Sequence, residues 1–221
     1  MNLFELSKSC PLFQGMQDHE LESIFQCLES YEKTYGKQEM IARHGQIITT
    51  IGIVLSGSLH IVKDDFWGNR TIITEISKGE IFAEAYACSF NEPLEIAIIA
   101  NEKTTVLHLH VEYIFKTCKK QCTFHYRLLE NLLSTLATKN LLLTRKMEHI
   151  TKRTTRDKLL SYLSETSIKH GSSTFTIPFN RQQLADFLSV DRSAMSKELG
   201  KMQKENIIKV HKNTFQLLIQ T

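Results

Sequence analysis

Apolar positions along the chain fall into three successive rhythms. In Asp18–Leu28, Leu21, Ile24, Phe25 and Leu28 recur at helical spacing, which predicts a short helix with Asp18 as its N-cap. From Tyr31 to Leu109 the pattern shortens to β-prone runs: Ile51–Leu55, Leu59–Val62, Thr71–Ile76, Ile96–Ala100 and Thr105–Leu109. Gly45, Gly52, Gly57, Gly68 and Gly79 fall where the chain must reverse. Many short antiparallel runs at this spacing predict a barrel-like roll or double-sheet jelly roll. Helix resumes near Val111–Phe115. From Phe124 to Ile150 there is neither glycine nor proline. There Leu129, Leu133, Leu136, Asn140, Leu143, Met147 and Ile150 alternate at spacings of four and three. That is a heptad seam with leucine at d and one asparagine at a, a pattern that favours two parallel strands. Leu128, Leu132, Leu141 and Leu142 widen the stripe and predict a second packing surface for this helix, the roll itself.

The last third of the chain has a different organisation. Arg181–Leu188 and Arg192–Gln203 are amphipathic and separated only by Ser189, Val190 and Asp191. Leu184, Ala185 and Leu188 form one apolar face; Met195, Leu199 and Met202 form the other. Ala185 is small enough for two helices to cross there, and Asp191 is a good N-cap for the second. This predicts a helix-turn-helix whose second helix projects Arg192, Ser193, Ser196 and Lys197 outward. Arg181, Gln182, Asp191 and Lys201 complete the candidate DNA-contacting set. Ile207–His211 and Thr214–Leu218 around Lys212-Asn213 predict a hairpin wing, and Ser173–Phe179 a further short strand ended by Pro178.

Charge sharpens the picture. Residues 151–221 hold 12 Lys and Arg against 6 Asp and Glu, whereas the first 150 hold 15 against 18. A basic module beside a mildly acidic one is expected if only the former meets phosphates. At 221 residues and 42% hydrophobic, the chain has material for two cores. The organisation expected is an α+β protein: a roll over 1–118, a dimerisation helix over 119–150 and a winged helix-turn-helix over 151–221. No apolar run reaches the ~20 residues of a membrane span, and the N-terminal stretch lacks a signal peptide's apolar core. Cys10, Cys27, Cys88, Cys118 and Cys122 form no CxxC pair and read as reduced thiols of a cytoplasmic protein. Cys118 and Cys122 sit one helical turn apart if the helix already runs there, where ordinary packing outweighs a metal or redox role.

Roll, long helix and winged helix-turn-helix in this order resemble the Crp/Fnr family of bacterial transcription regulators. The resemblance rests on Pro11–Met16, Gly52–Leu59, Gly79–Glu84 and Asn180–Met202. It implies a homodimer on a pseudo-palindromic DNA site, with recognition helices entering successive major grooves about 34 Å apart, and RNA polymerase as a further partner. Arg192, Ser193 and Lys197 match the family's base- and phosphate-contacting positions. The middle one is commonly glutamate in the family; serine cannot select cytosine's amino group in the same way, so the half-site should differ. Ser189 replaces a glycine common in the turn. Cyclic-AMP-binding members follow a glycine-glutamate pair with an arginine-serine pair that clamps the cyclic phosphate. Here Ala83-Glu84 keeps the glutamate, but Asn91–Ala97 holds Glu92 and Glu95 and no arginine. The residues therefore argue against cyclic AMP. Cys10 and Cys27 do not supply the grouped cysteines of an iron–sulfur cluster, and haem is not expected either. The effector expected is a small apolar or aromatic molecule, or a redox signal, read by the roll. Phe82, Ala83, Glu84, Ala85, Tyr86, Tyr126, Leu129 and Leu133 are the candidate pocket. A rival reading is a cupin-like metal enzyme or metal-binding protein using His108 and His110, two histidines on one strand face; a lone polar pair there more simply faces solvent.

Overall fold

The computed structural model describes residues 10–67, 70–116 and 123–218. The chain forms two compact units, Met1–Ala137 and Thr138–Thr221, so the division falls inside the long helix rather than at either end of it. No helix among the described residues is long and apolar enough to cross a membrane.

The first unit opens with a 3-10 turn, Pro11–Phe13, and helix α1, Asp18–Cys27. The N-cap of α1 is Gln17, not Asp18: its backbone N–H donates to the Glu20 carboxylate at 2.9 Å, leaving Asp18 inside the first turn. Among the described residues eight strands follow: β1 Tyr31–Tyr35, β2 Met40–Ala42, β3 Thr50–Ser56, β4 Ser58–Asp64, β5 Arg70–Ser77, β6 Ile81–Phe82, β7 Ala97–Ala100 and β8 Thr104–His110. Helix α2, Glu84–Cys88, lies between β6 and β7, and α3, Val111–Phe115, follows β8. The strands make two antiparallel four-stranded sheets, ordered β1-β8-β3-β6 and β2-β7-β4-β5.

Burial on both faces explains why β3 reads as an unbroken apolar run at Ile51–Leu55 and why β8 is apolar at Val106, Leu107 and Leu109. Val54 and Val106 point between the sheets, into a core with Tyr35, Leu59, Phe82 and Ile98. Ile51, Ile53, Leu55, Leu107 and Leu109 point the other way, into a core closed by Leu12, Phe13, Leu21, Ile24 and Ile114. Helices cover that face, so these central strands are apolar on both sides. β5 is an edge strand whose Ile72 and Ile73 remain exposed. Gly52 is required by close approach, since a Cβ there would lie 2.1 Å from the Phe82 ring.

Helix α4 runs from Thr123 to Ile150. In its first half Leu128 and Leu132 are fully buried in the helix-covered core. Polar ties reinforce them: Asn131 donates to the Leu12 and Gln14 carbonyls at 2.9 and 3.0 Å, and Arg127 to the Gly15 carbonyl at 2.7 Å. The predicted roll surface of the extra leucines is thus met by Leu128 and Leu132. Leu141 and Leu142, which lie in the second unit, are instead 56% exposed, so the expectation fails for that pair.

The second unit continues with α5, Thr155–His170, a helix that was not foreseen. Its signals are conventional: Thr154 caps Asp157 N–H, Leu159 and Leu163 form a buried stripe, and Gly171 closes it at φ +59°. Then come β9 Thr174–Thr176, α6 Arg181–Phe187, α7 Arg192–Lys204, β10 Ile208–His211 and β11 Thr214–Leu217. The strands form a sheet ordered β10-β11-β9.

Candidate nucleic-acid interface and effector cavity

The pair α6–α7 is positioned by its apolar faces. Leu184, Ala185 and Leu188 meet Met195, Leu199 and Met202, and all six are buried. Asn180 and Gln183 cap α6 reciprocally, with side-chain oxygens accepting backbone N–H groups at 2.9 and 2.8 Å. Asp191 caps α7 by accepting Ala194 N–H at 2.8 Å and the Ser193 hydroxyl at 2.5 Å. Those bonds hold the Asp191 carboxyl below its usual range, the Ser193 hydroxyl contributing most. The turn carries a local cost: Ser189 stands at φ +51°, a conformation that favours glycine. Lys158 of α5 supports it, donating to the Leu188 and Ser189 carbonyls at 3.3 Å.

Burying that face leaves Arg192, Ser193, Ser196, Lys197 and Lys201 exposed on α7. Arg192 meets no acidic partner among the described residues. Lys201 lies 3.7 Å from Glu198. Glu198 and Glu205, the acids that would oppose a phosphate backbone, are drawn aside by Arg156 of α5 at 2.6 and 2.8 Å. These contacts push the Arg156 guanidinium up and the Glu205 carboxyl down. Arg156 and Lys158 carry no local sequence signal, because their partners are some thirty to fifty residues away and no periodicity marks them. Gln182 is exposed and bonded to Asp186 at 2.9 Å. Arg181 is half-buried, its guanidinium 5.3 Å from the Phe215 ring centroid, so it packs on the wing rather than standing clear of it. At the wing tip Lys212 takes φ +53°, with Lys209 and Lys212 both exposed.

The roll holds a cavity of about 230 Å³. Phe82 and Ala83 line it, as do Tyr31, Tyr35, Thr50 and His108. Glu84, Ala85, Tyr86, Tyr126, Leu129 and Leu133 do not. The reason lies in α4: Leu128 and Leu132 take the inward face, so Leu129 packs at its edge while Tyr126 and Leu133 are 68% and 58% exposed. Glu84 is buried in the first turn of α2, Ala85 faces out, and Tyr86 packs against the core between the sheets. Ala83 precedes α2 at φ +62°, where a glycine would be unstrained.

His108 is not on a solvent face. It is buried, shares hydrogen bonds with the Tyr35 hydroxyl at 3.0 Å and the Thr50 hydroxyl at 3.4 Å, and stacks on Tyr31 with ring centroids 4.8 Å apart. Burial, with Lys33 and His110 nearby, lowers its pKa to about 4. Burial beside Tyr31 and Glu39 raises that of Tyr35 to about 12. Both nitrogens of His108 are engaged by hydroxyls. Among the described residues no group of three or more His, Cys, Asp or Glu could hold a metal ion, and nothing supports the cupin-like reading. Where a phosphate clamp would stand, Leu94 is buried and Glu95 faces out, 3.9 Å from Lys63. Cys118 and Cys122 lie outside the described residues.

A double-sheet roll followed in the chain by a winged helix-turn-helix with an exposed basic helix face defines a DNA-binding regulator with a sensor-type domain. Residues 32–121 match the cyclic nucleotide-binding domain and residues 157–220 the Crp-like helix-turn-helix domain, together more than half of the chain. The chain belongs to the Crp/Fnr family of transcription regulators. Its fold is similar to that of Thermus thermophilus catabolite activator protein, at 18% identity over 94% of this chain and 93% of that one, with a TM-score of 0.50. It is also similar to CLP, the c-di-GMP responsive global regulator of Xanthomonas campestris, at 17% identity over 92% and 100%, TM-score 0.54. The fold is shared as well with CprK complexed with OCPA, at 15% identity over 90% of each chain, TM-score 0.57. A comparison with curated proteins found no match.

Proposed function

We propose that the protein is a cytoplasmic homodimer that reads a pseudo-palindromic site in duplex DNA through α7 and responds to a small molecule through the roll. The observation that carries this reading is the α7 surface: Arg192, Ser193, Ser196 and Lys197 exposed together, with Glu198 and Glu205 held aside by Arg156. Arg192 reads a base edge, while Lys197, Lys201 and the wing lysines 209 and 212 meet phosphates. Ser193 is bonded to Asp191, so it offers a short and already engaged hydroxyl where the family commonly has glutamate. The half-site therefore departs from the best-known one. Contact with RNA polymerase belongs to the same reading, and no catalytic role is assigned.

Dimerisation is supported by the seam. Leu133, Leu143 and Met147 are 58%, 64% and 60% exposed in the single chain, an apolar stripe in want of a partner. Asn140 on the same stripe is exposed too, accepting the Thr144 hydroxyl at 3.3 Å. The absence of a guanidinium among residues 91–97 supports an effector other than cyclic AMP. A small molecule is favoured over thiol chemistry at Cys88, because burial, with Glu84 nearby, pushes that thiol up and leaves it a poor nucleophile.

The test selects DNA in vitro with the full-length protein and measures binding of wild type and of the double variant Arg192→Ala/Lys197→Ala by fluorescence anisotropy. The double variant is expected to lose about 2–5 kcal/mol on the selected site with its melting temperature unchanged. A double variant that binds as tightly as wild type would remove α7 as the reader.

A further inference from the structure

The second unit contains a crevice of about 450 Å³ that the reading of DNA does not use. It lies between the C-terminal part of α4, α5 and α6, wholly within Thr138–Thr221. Its floor is apolar: Leu142 and Leu143 from α4, Tyr162 from α5 and Phe187 from α6. The volume is in the range of small-molecule sites. Leu142 is 56% exposed, so a large side chain opens onto the crevice without a filling neighbour.

The rim is basic. Arg145, Lys146 and Lys169 line it, and Glu165 is the carboxylate among them. Glu165 is already engaged: it accepts from Lys169, lies 2.9 Å from His149 Nε2, and stands 3.7 Å from Arg145. His149 is itself buried and closes the base of the crevice, its Nδ1 sharing a hydrogen bond with the Ser161 hydroxyl at 2.9 Å. Lys146 is different. Its ammonium stands 5.5 Å from the Phe187 ring centroid and meets no carboxylate among the described residues. An apolar trough thus ends at a cation whose charge is met by an aromatic face alone.

We propose that this crevice binds a lipophilic anion, an alkyl or aryl carboxylate whose apolar body lies on Leu142, Tyr162 and Phe187 and whose carboxylate pairs with Lys146. A neutral amphiphile gains only the trough, and a small inorganic anion only the cation. Both halves are needed for selective binding. The occupant belongs to the second unit and would hold α4 against α5 and α6, next to the turn that leads into α7. Leu143 is shared with the dimer seam, whereas Leu142 and Lys146 lie on its flank.

Isothermal titration of decanoate into the full-length protein without DNA tests this independently of any operator. Saturable binding at one decanoate per chain is expected, with 1-decanol about tenfold weaker, the loss of one charge-assisted contact. Lys146→Gln should weaken decanoate about tenfold and leave 1-decanol unchanged. Leu142→Trp, at an exposed position where folding tolerates bulk, should abolish both while the thermal transition stays in place. Absence of saturable binding, or equal affinity for decanoate and 1-decanol, overturns the proposal. So does a Leu142→Trp protein that keeps decanoate, or one that sediments as a monomer where wild type is a dimer; the latter would make the crevice part of the self-association surface.

Discussion

Arg192 and His108 are both polar residues on elements whose other face is apolar, and they end in opposite places. Arg192 stands exposed on α7 and forms no ion pair among the described residues; His108 is buried in β8, both ring nitrogens engaged. The difference lies in how many faces each element buries. One side of α7 packs on α6, so polar residues opposite must face water. Both sides of β8 are covered, by the second sheet and by helices, so a polar residue there must find partners inside. The winged unit therefore carries its candidate chemistry on the outside and the roll carries its own within.

That contrast can be broken most forcefully on a single helix. Leu128 is fully buried and Leu143 is 64% exposed, although both belong to the same helix, α4. Leu128→Ala should cost about 2–5 kcal/mol of stability in denaturant unfolding. Leu143→Ala should leave the stability of the monomer nearly unchanged and weaken self-association instead, read by sedimentation. Equal losses of folding stability from the two would mean that the exposed half of α4 is a core surface, not a seam.

The next effect is smaller and belongs to the roll. A methyl group at Gly52 meets the Phe82 ring, so Gly52→Ala should destabilise by roughly 1–3 kcal/mol through overpacking. Thermal unfolding of Gly52→Ala beside Gly52→Ala/Phe82→Leu checks the cause, since the smaller partner should recover part of the loss.

His108 supplies a pH signature. Its folded-state pKa of about 4 lies below its ordinary 6.5, so between these values the unfolded chain binds more protons. The His108 contribution to stability should therefore be level above about pH 6.5 and fall as the pH drops towards 4. His108→Gln, which keeps hydrogen-bonding capacity and cannot titrate, should show a shallower fall in melting temperature across that window. An identical pH profile would place the titrating group elsewhere.

Much of this was legible because apolar spacing is a strong signal on a one-sided element. The strands β3, β4, β5, β7 and β8, the long helix, both helices of the helix-turn-helix and the hairpin wing stand within a few residues of where their patterns put them. The cavity was not legible. It joins Tyr31, Tyr35, Thr50, Phe82 and His108, residues brought together only by the pairing of β1 with β8 and β8 with β3. The same holds for Arg156, whose partners sit on another helix. Helix α5 is the instructive omission, since Thr154 and Gly171 mark both its ends. Its charged, weakly amphipathic middle hides the stripe of Leu159, Tyr162 and Leu163.

The smallest expected effect concerns strain. Ser189→Gly at φ +51° should stabilise the turn by about 0.5–1 kcal/mol, because glycine adopts that conformation without steric cost. A melting temperature below wild type would show that the Ser189 side chain contributes something the backbone conformation does not require.

The central claim is that two copies of α7 read one face of a duplex together. The direct measurement is anisotropy on the selected site with base pairs inserted at its centre. About 5 inserted base pairs turn the half-sites to opposite faces and should reduce affinity to the non-specific level, while about 10 should restore much of it. Equal affinity for all three spacings, or for an isolated half-site, would contradict the account.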